Sequence, residues 1–235
     1  MAMEQFSVIL PAAGSGSRFG AGDKLLAPLA GLSVLQRAVL LFATRSDVAE
    51  IIIVTQPDRF EPYREHLSAA MTDPNIRFVA GGRERWESVW NGLQAVREDV
   101  GYVAIHDAAR PLTPAAVIAD AFAAAVAVGG SLPTLAEPYT LKRQSNDGKV
   151  TETVARAGLY QAQTPQCFRR EWLLEAFASL HAQHRLADVT DDAQIFERTN
   201  RAVQATAGSM RNIKITTPED TQLALALLAS DAPLA

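Results

Sequence analysis

The stretch ILPAAGSGSRFGAGDK, residues 9 to 24, runs from an apolar segment through four glycines to two cations, Arg18 and Lys24. Glycine has no Cβ to obstruct a ligand and tolerates positive φ, so a turn of this kind lets backbone N–H groups approach phosphate oxygens. Glycines alone are satisfied by an ordinary surface turn; the two cations favour an anion site. The loop is not a Walker A motif, because Lys24 follows Asp23 and Leu25 stands where a Ser or Thr is needed. Nor is it a dinucleotide fingerprint, since Phe19 occupies the third glycine position counted from Gly14. A second candidate is YVAIHDAARPLTP, where an apolar run ends in His106 and Asp107. Asp107 is suited to a divalent metal that bridges phosphates, with Arg110 as a nearby cation, although an aspartate that caps a turn has the same signature. His106 alone reads as structural. In GGRERWESV, Gly82 and Ser88 flank a space that would admit a nucleobase edge, yet a glycine pair between strand and helix needs no ligand to explain it. Lys214 lies between Ile213 and Ile215, and spacing alone assigns it to solvent.

These residues need a scaffold. The 235 residues, 48% hydrophobic and 20% charged, suffice for a single domain spanning 1–235. A formal net charge of −4 excludes a grip on nucleic acid through bulk positive charge. The single Cys167 excludes an internal disulfide, and with only four scattered His no zinc-ligand spacing exists, which suits a reducing cytoplasm. No run approaches the roughly 20 apolar residues of a membrane span. Neither export nor a membrane is expected.

Short β-branched runs (FSVILP, EIIIVT, IRFVAG, YVAIHD, SLPTLA) alternate with helical patterns, as in an α/β fold with a mostly parallel sheet flanked by helices. Trp86, Val89, Trp90, Leu93 and Val96 recur at helical spacing and read as core packing. TPAAVIADAFAAAVAVGG reads as a helix closed by its glycine pair. RREWLLEAFASLHAQ and PEDTQLALALLA are further helices, with short strands expected at AVQAT and NIKIT. About residues 137–157, two polar β-prone stretches surround Asn146, Asp147 and Gly148, a hairpin signal. An isolated hairpin is marginal in water, so this arm is expected to pack on a second subunit.

PAAGSGSR, Lys24, GGRERWESV, HDAARP, TLKR, QTPQCF, VTDDA and NIKITTPED, in this order, resemble the 2-C-methyl-D-erythritol 4-phosphate cytidylyltransferase family. The resemblance covers roughly residues 6 to 228. It implies a Rossmann-like nucleotidyltransferase fold whose hairpin arm makes a homodimer, and transfer of the cytidylyl group of CTP to methylerythritol phosphate with Mg²⁺. It implies that Arg18 and Lys24 stabilise the transition state, with Ala12, Ala13, Gly14 and Gly16 along the triphosphate and base. Gly82 and Ser88 would hold the cytidine, and Asp107 would sit by the metal with Ala108 and Arg110 beside it. Lys214 would align the second substrate, joined by Thr140, Arg156, Thr164 and Thr190, several of them delivered from the partner's arm. The resemblance also admits a ribitol 5-phosphate cytidylyltransferase, or a non-catalytic sugar-nucleotide-binding protein on the same scaffold. DKLLAPLAGLSVL is similar, besides, to the cytidylyltransferases of molybdenum-cofactor assembly. One departure concerns Asp23 and Leu25, where the family commonly has Pro and Gln. Losing proline removes a fixed φ, and Asp23 is expected to bring negative charge near the triphosphate and leave Lys24 less constrained. Arg83, where some relatives carry an acid, has no assigned role.

Overall fold

The computed structural model describes residues 3–14, 19, 22–68 and 75–230. Strand β1 (Phe6–Pro11) is followed by the short pair β2 (Pro28–Leu29) and β3 (Leu32–Ser33) and by helix α1 (Val34–Ala43). Then come β4 (Val48–Thr55), α2 (Phe60–Ser68), β5 (Ile76–Ala80), α3 (Arg85–Gln94) and β6 (Tyr102–Ile105). The second half supplies α4 (Ala115–Val128), β7 (Gly130–Ala136), β8 (Leu141–Gln144), β9 (Val150–Val154) and β10 (Tyr160–Ala162). It ends with β11 (Gln166–Arg169), α5 (Arg170–Ala182), α6 (Ala193–Glu197), β12 (Gln204–Ala207) and α7 (Pro218–Ala229).

One sheet has the order β10-β7-β11-β6-β1-β4-β5, with β12 also paired to β7. β1, β4, β5 and β6 run parallel, whereas β11 enters antiparallel between β6 and β7. Strand alternation divides the core between the two faces. Val8 and Leu10 of β1 join Phe42, Tyr63 and Phe122 on one side. Ile9 joins Val89, Leu93, Phe168 and Phe177 on the other. As expected, the tryptophans of α3 pack: the Trp90 ring lies 5.3 Å from that of Phe177 on α5. The chain leaves β1 for β4 and β5, then returns to place β6 on the opposite side of β1. That reversal opens a crevice beyond the carboxyl ends of β1 and β6, where ligands of open α/β sheets bind.

As its glycine pair suggested, α4 ends at Gly129 with φ 97°; α1 is capped by Ser33 through a capping box with Gln36. The arm is a separate two-stranded hairpin, β8 against β9, exposed along nearly all its length and turned at Gly148 with φ 86°. NIKIT is not a strand. Its polar groups are drawn elsewhere: the Ile215 N–H donates to the Ala109 carbonyl at 2.8 Å, and Thr216 N–H and hydroxyl donate to Asp220. With its donors so engaged, the segment makes isolated contacts rather than a ladder. No helix among the described residues is long and apolar enough to cross a membrane.

Candidate active site

The crevice is an open cleft of about 210 Å³. Ala12, Ala13 and Gly14 form one wall, directly after β1. The Ala12 N–H donates to the Val54 carbonyl at 2.7 Å, and the Thr55 hydroxyl donates to the Ala12 carbonyl at 3.2 Å. A Cβ on Gly14 would meet none of the described residues within 4 Å, so their packing does not demand glycine there. Its open flank suits close approach of a ligand to the backbone. Gly16 and Arg18 lie outside the described residues.

A second wall follows β5. The Ser88 hydroxyl accepts from the Gly82 N–H at 3.0 Å and donates back to the Glu84 carbonyl at 3.3 Å, which holds the turn into α3. Gly81 packs so tightly that an added Cβ would stand 2.6 Å from that of Ala13. Arg83, Glu84 and Arg85 line the same wall. Arg85 reaches Asp192, at the N-terminus of α6, with two hydrogen bonds of 2.9 and 2.6 Å. Sequence reasoning passed over this pair. Its only signals were an arginine at a helix start and one of two adjacent aspartates, 107 residues apart.

Asp107, Ala108 and Ala109 form the floor beyond β6, and Lys214 closes the cleft from the irregular segment before α7. Asp107 Oδ2 faces Lys214 Nζ at 3.1 Å and accepts from Arg110 Nε at 3.1 Å. Burial works to raise the Asp107 pKa, but the Lys214, Arg85 and Arg110 cations outweigh it and hold the carboxyl well below the usual carboxylate range. Spacing assigned Lys214 to solvent, and its side chain is indeed 40% exposed, but its ammonium also faces the floor of the cleft at Asp107. Three contacts deliver it there. Arg110 Nη1 donates to the Asn212 carbonyl at 2.6 Å, Asn212 Nδ2 to the Thr164 carbonyl at 2.7 Å, and the Thr113 hydroxyl to Asn212 Oδ1 at 2.8 Å. The Arg110 guanidinium is therefore committed beneath the floor and does not line the cleft.

His106 is structural, as its sequence context suggested. It is fully buried, with Nε2 3.0 Å from the Arg110 carbonyl and Nδ1 3.0 Å from the Thr164 hydroxyl. A carbonyl only accepts, so Nε2 carries the proton and Thr164 donates to Nδ1, while the Thr164 oxygen accepts from the Asp107 N–H at 3.1 Å. Burial pushes the imidazole down to about 4. Thr164, expected among substrate-binding groups, is thus a buried support under Asp107.

Lys24 lines the same cleft as Lys214. The expectation for Asp23 is overturned: its Oδ2 accepts from the buried Tyr63 hydroxyl at 2.6 Å and faces Arg59 at 3.5 Å, and its Oδ1 accepts from the Leu25 N–H at 3.0 Å. Thr140, Arg156 and Thr190 are exposed and are not part of this cleft in the single chain. Arg156 donates to the Pro138 carbonyl at the base of the arm, and the Thr190 N–H donates to Gln194 at 2.9 Å. The cleft therefore collects Lys24, Arg83, Arg85 and Lys214 in a chain of net charge −4, an arrangement suited to a polyanion.

The model of the family 2-C-methyl-D-erythritol 4-phosphate cytidylyltransferase matches residues 6–230. The enzyme of that name from Rhodopirellula baltica is 39% identical over 234 residues, covering 94% of each chain. The one from Syntrophotalea carbinolica is 40% identical over 224 residues, covering 94% of this chain and 95% of its own. Among solved structures, 4-diphosphocytidyl-2C-methyl-D-erythritol synthase from Anaerococcus prevotii superposes with a TM-score of 0.82 at 30% identity, covering 97% of this chain and all of that one. The cytidylyltransferase from Thermus thermophilus gives 0.77 at 28% identity, covering 96% of this chain and 99% of its own. With the sheet order, the switch-point cleft and these likenesses together, the chain belongs to the 2-C-methyl-D-erythritol 4-phosphate cytidylyltransferase family.

Proposed function

We propose that the chain transfers the cytidylyl group of CTP to 2-C-methyl-D-erythritol 4-phosphate, giving 4-diphosphocytidyl-2-C-methyl-D-erythritol and pyrophosphate, a step of isoprenoid precursor synthesis. The observation that carries this reading is the meeting of Lys24, Lys214 and Asp107 around one cleft at the switch point of the sheet. A phosphate oxygen of the acceptor bonds to the α-phosphorus of CTP, and the bond from that phosphorus to the bridging oxygen of the leaving pyrophosphate breaks. The nucleophile is already an anion, so no side chain need remove a proton.

What opposes the reaction is charge. Two anions must meet, and negative charge grows on the bridging and non-bridging oxygens, so fixed cations supply most of what catalysis requires. Lys24, with Arg18, would stabilise the triphosphate as pyrophosphate departs, and the backbone along Ala12, Ala13, Gly14 and Gly16 would border it. Gly82 and Ser88 would frame the cytidine, beside Ala108. Lys214, tethered to Asp107, would receive the acceptor phosphate. Arg110 would serve through the Asp107 carboxylate and the Asn212 carbonyl that it binds.

Among the described residues no three His, Cys, Asp or Glu side chains form a cage for a metal. This suits Mg²⁺, which is commonly held by one or two carboxylates together with substrate phosphates. Asp107 fits: Oδ2 is taken by Lys214 and Arg110, and its low pKa keeps the group ionised for a ligand at Oδ1. When bound, Mg²⁺ would neutralise phosphate charge.

The reading extends to a homodimer. The arm is polar, exposed and remote from its own core, and apolar Tyr139, Val150 and Tyr160 on and beside it are also exposed. Thr140 and Arg156, at its two ends, would enter the cleft of a second copy, with Thr190 and Thr164 completing or supporting the acceptor side. One domain would carry the whole reaction. The lone Cys167, buried and unpaired, suits a reducing cytoplasm. The test is incubation with CTP and Mg²⁺ and, separately, methylerythritol phosphate or ribitol 5-phosphate. Pyrophosphate release with the first alone is expected; release only with the second would reassign the acceptor, and release with neither would overturn the activity.

A further inference from the structure

We propose that Asp23, anchored by Tyr63 and Arg59, is a positioning residue that aims Lys24 into the cleft. This rests on the reading of Lys24 as the cation of the triphosphate. The carboxylate spans Lys24: Oδ1 accepts from the Leu25 N–H at 3.0 Å, and the Asp23 carbonyl accepts from the Leu26 N–H at 3.0 Å. Both hydrogen bonds close around the lysine backbone, an Asx turn superposed on a backbone turn. Its other oxygen is moored to a different element, 40 residues away, by the 2.6 Å bond from the Tyr63 hydroxyl on α2. Arg59 Nη1 lies 3.5 Å from the same oxygen and 3.5 Å from the Tyr63 hydroxyl.

The anchor is firm for physical reasons. Tyr63 is fully buried in the core cluster that also contains Leu25, so its ring cannot swing to follow a moving loop. Burial, reinforced by the Asp23 hydrogen bond, pushes the phenol above its ordinary value, so the hydroxyl remains a donor at any working pH. The far end of the turn is tied as well, by Leu35 N–H to the Leu25 carbonyl at 2.8 Å and Val34 N–H to the Ala27 carbonyl at 3.1 Å. Lys24 therefore projects from a segment pinned on both sides. Where proline would restrain this turn through φ alone, an aspartate restrains it through side-chain bonds, and its charge is directed at Arg59 and a phenol rather than at the ligand. Small displacements of a charge-stabilising group are costly, on the order of 10²-fold in rate for about 1 Å.

The experiment uses the full-length protein with Tyr63→Phe, Asp23→Asn and Asp23→Ala, each in the wild-type and the Lys24→Ala background. Melting temperature, kcat, KM for CTP and the Kd of CTP with Mg²⁺ are measured for each. In the wild-type background, Asp23→Ala and Tyr63→Phe are expected to lower kcat/KM for CTP by roughly 10- to 100-fold while the protein still melts cooperatively. Asp23→Asn, which keeps the acceptor for Leu25, should fall between them and wild type. In the Lys24→Ala background the same changes should alter the Kd of CTP by less than about twofold, because what they position is gone. Losses of equal size in both backgrounds, or losses that only track the melting temperature, would make the cluster a general fold support and overturn the proposal. An intact Tyr63→Phe enzyme beside a crippled Lys24→Ala enzyme would overturn the anchor and leave Lys24 in its role. A Lys24→Ala enzyme with normal turnover would overturn both.

Discussion

His106 and Asp107 are neighbours that titrate in different windows and do different work. The imidazole is neutral in the folded state because burial pushes it down to about 4, while an unfolded chain binds the proton near 6.5. The folded value is the lower one, so its stabilising contribution is fully present above about pH 6.5 and is lost as pH falls toward 4. Asp107 is also depressed, and its contribution is lost only below the ordinary carboxylate value of about 4. Between pH 7 and 4.5 the two are separable. The unfolding free energy of wild type is expected to fall by up to about 1 kcal/mol per pH unit more steeply than that of His106→Gln, measured by urea denaturation at each pH. Parallel slopes would mean that the imidazole is not a neutral acceptor from Thr164. Asp107, by contrast, is a meeting point: it orders Lys214 and Arg110 and remains charged, and its neighbours rather than its own type determine this.

At the scale of elements, the cleft depends on loops at the ends of three parallel strands that are stitched to one another. The Gly81 N–H donates to the Thr55 carbonyl at 2.9 Å, and Thr55 in turn holds Ala12. Gly81→Ala would drive a Cβ to within 2.6 Å of that of Ala13, a rigid group with no rotamer to yield. A loss of about 1–3 kcal/mol in stability is expected from this overpacking, together with a raised KM for CTP as the first and second walls part. Calorimetric melting and CTP-dependent kinetics measure the two effects, and an unchanged KM would show that these loops do not bear on the nucleotide. The helices and parallel strands were legible because their signals are local: apolar residues at helical spacing in α3, glycine after α4, and β-branched runs long enough to be buried on both faces. The segment at Asn212–Thr216 was not, since alternation is only a prior and here Asp220, Ala109 and Arg110 compete for its backbone.

For the whole molecule, Thr140 and Arg156 are exposed and do not line the cleft of their own chain, so on the proposed reading the acceptor site would be complete only in a dimer. Lys24→Ala and Arg156→Ala homodimers should each be nearly inactive. When the two variants are co-assembled, subunits that pair a Lys24→Ala chain with an Arg156→Ala chain should regain activity approaching that of one intact cleft per dimer. Activity of purified mixed dimers decides it; no gain over either parent would remove the arm from catalysis and leave it a device of assembly alone.

Read alone, the order of residues along the chain determined the α/β class, the flanking helices, the hairpin arm and the family, because each depends on neighbours within a turn, a strand or a contiguous motif. The folded chain decided the rest. It paired the exposed Lys214 with Asp107, set Thr164 and Arg110 beneath the cleft floor, paired Arg85 with Asp192, and turned the charge of Asp23 toward Tyr63 and Arg59. These contacts join residues up to 107 positions apart. Which of several polar groups a side chain finds depends on how sheet and loops bring distant segments together, and on the cost of leaving a buried charge without a partner.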